Sequence, residues 1–136
     1  VGELHTLPAG PLFDGAQMIG VLHHVEGEEA RLALLRELTR RLKPGAPLVL
    51  GCCVGKDAEL TNLELRRWRT YGVPLGELEQ RRQLFAAMRP IASDASLIEM
   101  LARTGLVAPR TLFVSLQYKS PGTLRARSRR LTRRSQ

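Results

Sequence analysis

Two pairs of neighbouring side chains carry most of the chemistry this sequence could perform: His23-His24 and Cys52-Cys53. An imidazole changes protonation near neutral pH, so either histidine could take a proton from a substrate nucleophile. A histidine at a turn can equally hydrogen-bond the backbone and fix the loop, and both readings stand. Zinc binding by the pair is not expected, because adjacent residues project in different directions and further ligands are absent. The cysteines are not spaced as a metal knuckle, so no metal site is expected. Adjacent cysteines rarely bridge each other, since the bond needs separated Cα atoms with converging Cβ vectors. Buried thiols at a strand end, in a reducing cytoplasm, are the expectation.

Both pairs close apolar runs. Gly15 to Leu22 is almost unbroken in its apolar character and reads as a strand that delivers His23 and His24 at its carboxyl end. Glu28 to Leu42 has helical spacing, with Ala30, Leu34, Leu35, Leu38 and Leu42 on one face. Glu28 and Glu29 suit its positive N-terminal end, Arg40, Arg41 and Lys43 its C-terminal end, and Pro44-Gly45 stops it. Leu48 to Cys53 is the next strand, with Gly51 ending its apolar core. Strand, helix, strand with tight turns is a βαβ unit. Parallel strands joined this way are normally buried on both faces. Ligands of open α/β sheets bind outside the carboxyl ends of the strands, which places Gly20 to His24 at a cleft. Gly20 would let a ligand approach the backbone closely.

Phe13-Asp14, then Gly20-Val21-Leu22-His23-His24-Val25, a charged helix, and Leu42-Lys43-Pro44-Gly45 before a strand form an ordered series. In this order the series resembles the second half of a class I S-adenosylmethionine (SAM)-dependent methyltransferase. The resemblance implies an α/β fold, a partial Rossmann-like sheet from the family's fourth strand onward with flanking helices. It implies SAM as cofactor, with Gly20, Val21, Leu22 and His23 beside its methionine part and reacting methyl. Val1-Gly2-Glu3-Leu4 followed by Leu7-Pro8 is similar to the family's segment before that strand, and so places Glu3 on the adenine amino group. Glu3 is one methylene longer than the family's usual Asp, and an exposed terminal Glu is the alternative. The family's Gly-rich loop after its first strand, and its acidic residue after the second, are not in this chain. Val1 is not an initiator Met, so a fragment or processed chain is expected, with half a cofactor site and an exposed sheet edge open to self-association. Methyl transfer from a sulfonium has an excellent leaving group, so proximity and orientation alone can suffice.

Ala58 to Tyr71 reads as a helix with Leu60, Leu63, Trp68 and Tyr71 on its packed side and Leu65 at the flank. Gly72-Val73-Pro74 breaks it, and Leu75 to Met88 forms another helix carrying Leu78, Phe85 and Met88. Arg66, Arg67, Arg69, Arg81, Arg82 and Arg89 make a cationic surface across the two. In the family this region often caps the substrate side. Ser93 to Gly105 is a further helix, with Ser93-Asp94 at its cap and Ser96 and Glu99 at capping-box spacing. Thr111 to Tyr118 alternates as one strand, with Leu112, Val114, Leu116 and Tyr118 on one face. A weak last strand is expected after Ser120-Pro121-Gly122, and fraying from about Arg127.

At 136 residues and 43% hydrophobic the chain fits one domain, with 4% aromatics leaving the core to aliphatic side chains. Residues 1–127 are expected to be that domain and 128–136 a basic, disordered tail. No apolar run approaches the ~20 residues that span a bilayer. Residues 1–99 carry 12 Lys/Arg against 13 Asp/Glu, whereas residues 100–136 carry 9 Lys/Arg and no acid. A basic end of this kind can bind RNA, or simply be solvated. Three function classes follow: a methyltransferase acting on a small-molecule acceptor or RNA, its fragment inactive alone; a basic RNA-binding module; and a degenerate, non-catalytic scaffold.

Overall fold

The computed structural model describes residues 4–6, 8, 10–115, 118–121 and 124–126. Glu3 and the tail 128–136 lie outside them. In chain order the elements are strand β1 (Ala16–Ile19), helix α1 (Glu28–Arg40), strand β2 (Pro47–Cys53), helices α2 (Ala58–Thr70), α3 (Leu75–Ala87) and α4 (Asp94–Ala102), and strands β3 (Leu106–Val107), β4 (Thr111–Ser115), β5 (Tyr118–Pro121) and β6 (Leu124–Ala126). The βαβ unit expected from the sequence is present. β1 and β2 are parallel, registered Ala16 to Leu48 through Ile19 to Gly51.

β2 is the spine. Its other edge takes two antiparallel strands in tandem, β6 beside Pro47 and Leu48 and β5 beside Cys52 and Cys53. β3 pairs with β6 and β4 with β5, so 106–126 folds back as one broken antiparallel arm. The single strand expected over Thr111–Tyr118 is therefore two, and Tyr118 opens the returning one. Leu116 falls outside the described residues.

The core lies on one face of the sheet. Leu48, Leu50 and Cys52 from β2, with Met18 from β1, pack against Leu32 and Leu35 of α1 and Leu97 and Leu101 of α4. α4 is capped by Ser93, whose hydroxyl accepts from the Ser96 amide at 3.1 Å, rather than by the Ser96–Glu99 box. Arg103 after α4 pairs with Glu28 at the start of α1, which ties the two helices together.

The opposite face is open at β1, whereas Gly51 and Cys53 on that side of β2 are buried. Gln17 is exposed and Ile19 is 59% exposed, so β1 is half-buried and not buried on both faces as expected. Gly51 lies inside β2, which runs on to Cys53 as expected. It makes room for Ile19, because a Cβ there would meet Ile19 Cγ2 at 3.0 Å.

α2 turns a different side inward from the one its spacing indicated. Leu65 is buried, while Leu63 and Tyr71 are exposed and Trp68 is half-buried. Arginines explain the difference. The Arg81 guanidinium sits 3.9 Å from the centre of the Trp68 ring and Arg67 Nε donates to Tyr71 Oη at 3.2 Å, so both aromatics are partnered at the surface.

Candidate functional site

The carboxyl ends of β1 and β2 lie side by side. Gly20 leaves β1 with φ +74°, a conformation L side chains rarely adopt, and its N–H donates to Gly51 O at 2.9 Å. That kink shortens the expected strand, and Leu22–His24 form a single 3₁₀ turn closed by His24 N–H to Val21 O. Leu22 drives the turn, because its side chain is completely buried in the core.

Gly20, Val21, Leu22 and His23 are thus brought together as one turn. Val21 and His24 face solvent, whereas the side chains of Leu22 and His23 are enclosed. His23 is 0% exposed, and its Nδ1 accepts the Cys53 backbone N–H at 3.3 Å. That bond selects the tautomer with the proton on Nε2. Burial first, then the neighbouring His24 and Arg31, hold the His23 pKa below its ordinary 6.5, so the ring is neutral at physiological pH. The two imidazoles lie 4.3 Å apart, tilted by 47°. Of the pair, His24 is the ring open to a ligand.

Arg31 is a residue that sequence reasoning missed. It is buried, its Nε donates to Val25 O at 2.9 Å, and its Nη2 donates to Arg89 O. The Arg89 N–H in turn donates to His23 O at 3.1 Å. One guanidinium therefore holds the turn after β1 against the segment after α3. The available signal was its position: Arg31, Leu35, Leu38 and Leu42 share helical spacing, and a lone charge on an apolar stripe needs an internal partner.

β2 leaves the sheet through Cys52 and Cys53, both buried and both thiols, as expected. Burial, reinforced by Cys53, pushes the Cys52 thiol up to about 12, which makes it unreactive at neutral pH. Ile91 lies against this exit, with Ile91 N–H to Cys53 O at 3.1 Å and Gly55 N–H to Ile91 O at 2.7 Å. Two cavities flank the join. One of about 690 Å³ is bordered by Gly27, Arg31, Gly55 and Arg89. The other, about 390 Å³, is bordered by Cys53, Asn62, Arg82, Phe85 and Met88, and Lys56 borders both. Among the described residues no cluster of His, Cys, Asp and Glu is arranged to hold a metal. No helix among them is long and apolar enough to cross a membrane.

No protein-family profile and no curated protein sequence matches this chain. Solved structures do. A possible exported protein from Bordetella parapertussis superposes with a TM-score of 0.63 at 14% identity, over 93% of this chain and 43% of its own. The mitomycin 7-O-methyltransferase MmcR gives 0.59 at 18% identity, over 92% and 33%. Human N-acetylserotonin methyltransferase, solved in complex with SAM, gives 0.59 at 18%, over 93% and 33%. The chain shares the fold of these structures, two of which are methyltransferases. It spans between a third and about two-fifths of the length of these structures. The Gly20–His24 turn and the β2 exit lie at the carboxyl ends of the two parallel strands, the end at which open α/β sheets in general bind ligands.

Proposed function

We propose that residues 1–127 form the C-terminal part of a class I methyltransferase domain, with a Rossmann-like sheet that continues beyond β1. In this reading the whole protein transfers the methyl of SAM to an acceptor, and these residues alone are inactive. The observation that carries it is the Gly20–His24 turn, set at the carboxyl ends of two parallel strands in a fold shared with SAM-dependent methyltransferases.

The residues present fit one side of that cofactor. Gly20 has no side chain to obstruct a ligand, and Val21 offers an exposed apolar wall next to it. Leu22 and His23 would meet a ligand through backbone, given their burial. When bound, SAM supplies a methyl on a sulfonium, with a neutral thioether as leaving group. His24, open to solvent, would take the acceptor's proton. His23 props the turn through Cys53 and would serve as a base only after the turn opens. Glu3 would accept a hydrogen bond from the adenine amino group.

Titrating SAM into the full-length gene product by calorimetry tests this. Saturable binding, weakened about tenfold by Glu3→Ala through loss of one charge-assisted hydrogen bond, is expected. Absence of binding overturns the reading, and unchanged affinity in the variant overturns the role of Glu3. β1 has no second neighbouring strand among the described residues. Its outer edge is therefore where the rest of the sheet adds, or where two copies of residues 1–136 associate. Sedimentation of these residues alone is expected to show species larger than a monomer, and a strict monomer at high concentration would remove self-association.

A further inference from the structure

The cavity of about 390 Å³ beside the β2 exit has the size of a small-molecule site. Its walls divide by chemistry. Phe85 from the last turns of α3, Met88 after that helix and Cys53 at the end of β2 make an apolar floor. Lys56 and Arg82 stand at its margin and are exposed. Lys56 Nζ donates to the neutral Ala86 O at 3.2 Å, and no carboxylate pairs with it among the described residues. Arg82 Nη1 reaches Asn62 Oδ1 at 3.3 Å across the cavity wall, and Glu79, which does not border the cavity, lies 3.4 Å from Arg82 Nε. Asp57 is the one acid on the lining, and its carboxylate is occupied in capping α2, accepting from Glu59 and Leu60. Lys56 therefore carries a charge that no carboxylate pairs among the described residues, and Arg82, shared between Glu79 and Asn62, borders the same cavity.

We propose that this cavity binds a small aromatic carboxylic acid, its ring against Phe85 and Met88 and its carboxylate between Lys56 and Arg82. Cys53 borders the cavity and its N–H is bound to His23, so such a ligand lies one residue from the Gly20–His24 turn. Naming it the methyl acceptor rests on the methyltransferase reading. The binding itself does not.

The test pairs 2-naphthoate with its neutral counterpart 2-naphthalenemethanol, titrated into the protein without SAM. Trp68 is the single tryptophan and its ring lies 5.9 Å from Phe85, so its indole N–H resonance reports the cavity with no overlap. Saturable shifts are expected, with the acid binding about tenfold more tightly than the alcohol, as two charge-assisted contacts imply. The preference should shrink as salt rises. Lys56→Met combined with Arg82→Met, both at exposed positions, should erase the preference and leave the alcohol's affinity unchanged. Equal affinities for acid and alcohol, a preference that survives the double variant, or no saturable shift at all would overturn the site. Failure of the full-length protein to bind SAM, with this preference intact, would sink the methyltransferase reading and leave the aromatic-acid site standing.

Discussion

α1 and α3 are both helices of 13 residues, yet they do opposite jobs. α1 lies in the crossover between the two parallel strands and buries Arg31, Leu32 and Leu35. α3 buries Leu78 alone and leaves Leu75 and Leu84 exposed. The difference follows from spacing. The leucines of α1 recur every three or four residues and make one stripe, whereas those of α3 are scattered around its circumference. α1 therefore fixes the ends of β1 and β2 against the core, while α3 is a lightly held wall over a cavity. α1 sets the geometry of the turn through Arg31, and α3 supplies Arg82 to the cavity.

Deleting side chains on the two helices should separate them most sharply. Leu35 is 0% exposed, so Leu35→Ala should cost about 2–5 kcal/mol in chemical denaturation. Leu84 is 66% exposed, so Leu84→Ala should stay within about 0.5 kcal/mol. Equal losses would mean that α3 is as much a part of the core as α1. Arg31→Met should come next, at about 1–3 kcal/mol, because two carbonyls lose their donor. Faster hydrogen exchange at the Arg89 amide, with exchange in the middle of β2 unchanged, would locate that loss at the clasp between turn and cap.

The turn also has a pH signature. The folded pKa of His23 lies below its unfolded value of 6.5, so the unfolded chain binds more protons as the solution is acidified. The stability His23 contributes is complete above pH 6.5 and is lost as pH falls toward the folded pKa. Melting temperature should decline below that point, and His23→Asn should flatten the decline. A slope unchanged by the variant would show that His23 is not the titrating group. Asp57→Ala, which removes the N-cap of α2, should cost about 1 kcal/mol and be confined to α2 and its neighbour α3.

The crossover was legible because its signals are local. Glu28-Glu29, the leucine repeat and Pro44-Gly45 mark a helix without reference to the rest of the chain, and Ser93 marks the start of α4 in the same way. Even so, α1 packs about one residue away from the stripe its leucines suggested, since Ala30 is exposed and Arg31 is buried. Long-range partnerships account for what was not legible. Arg31 is read correctly only once Val25 O and Arg89 O are known to meet it. Trp68 looked like core because its cover, Arg81, comes from another helix. Ile19 looked buried because the pattern of a parallel strand does not say whether a second layer is present. In the site, the turn was foreseen as a unit, but the enclosure of the Leu22 and His23 side chains was not. Glu3 lies outside the described residues.

The proposed methyl transfer requires the Gly20–His24 turn to border SAM. The direct measurement is a titration of SAM into the full-length protein, followed at the backbone amides by two-dimensional NMR, which registers even weak binding. Saturable shifts at Gly20, Val21, Leu22 and His23, with the Leu84 and Arg103 amides still, are the predicted result. Shifts that appear elsewhere and spare that turn, or none at any concentration, would contradict it.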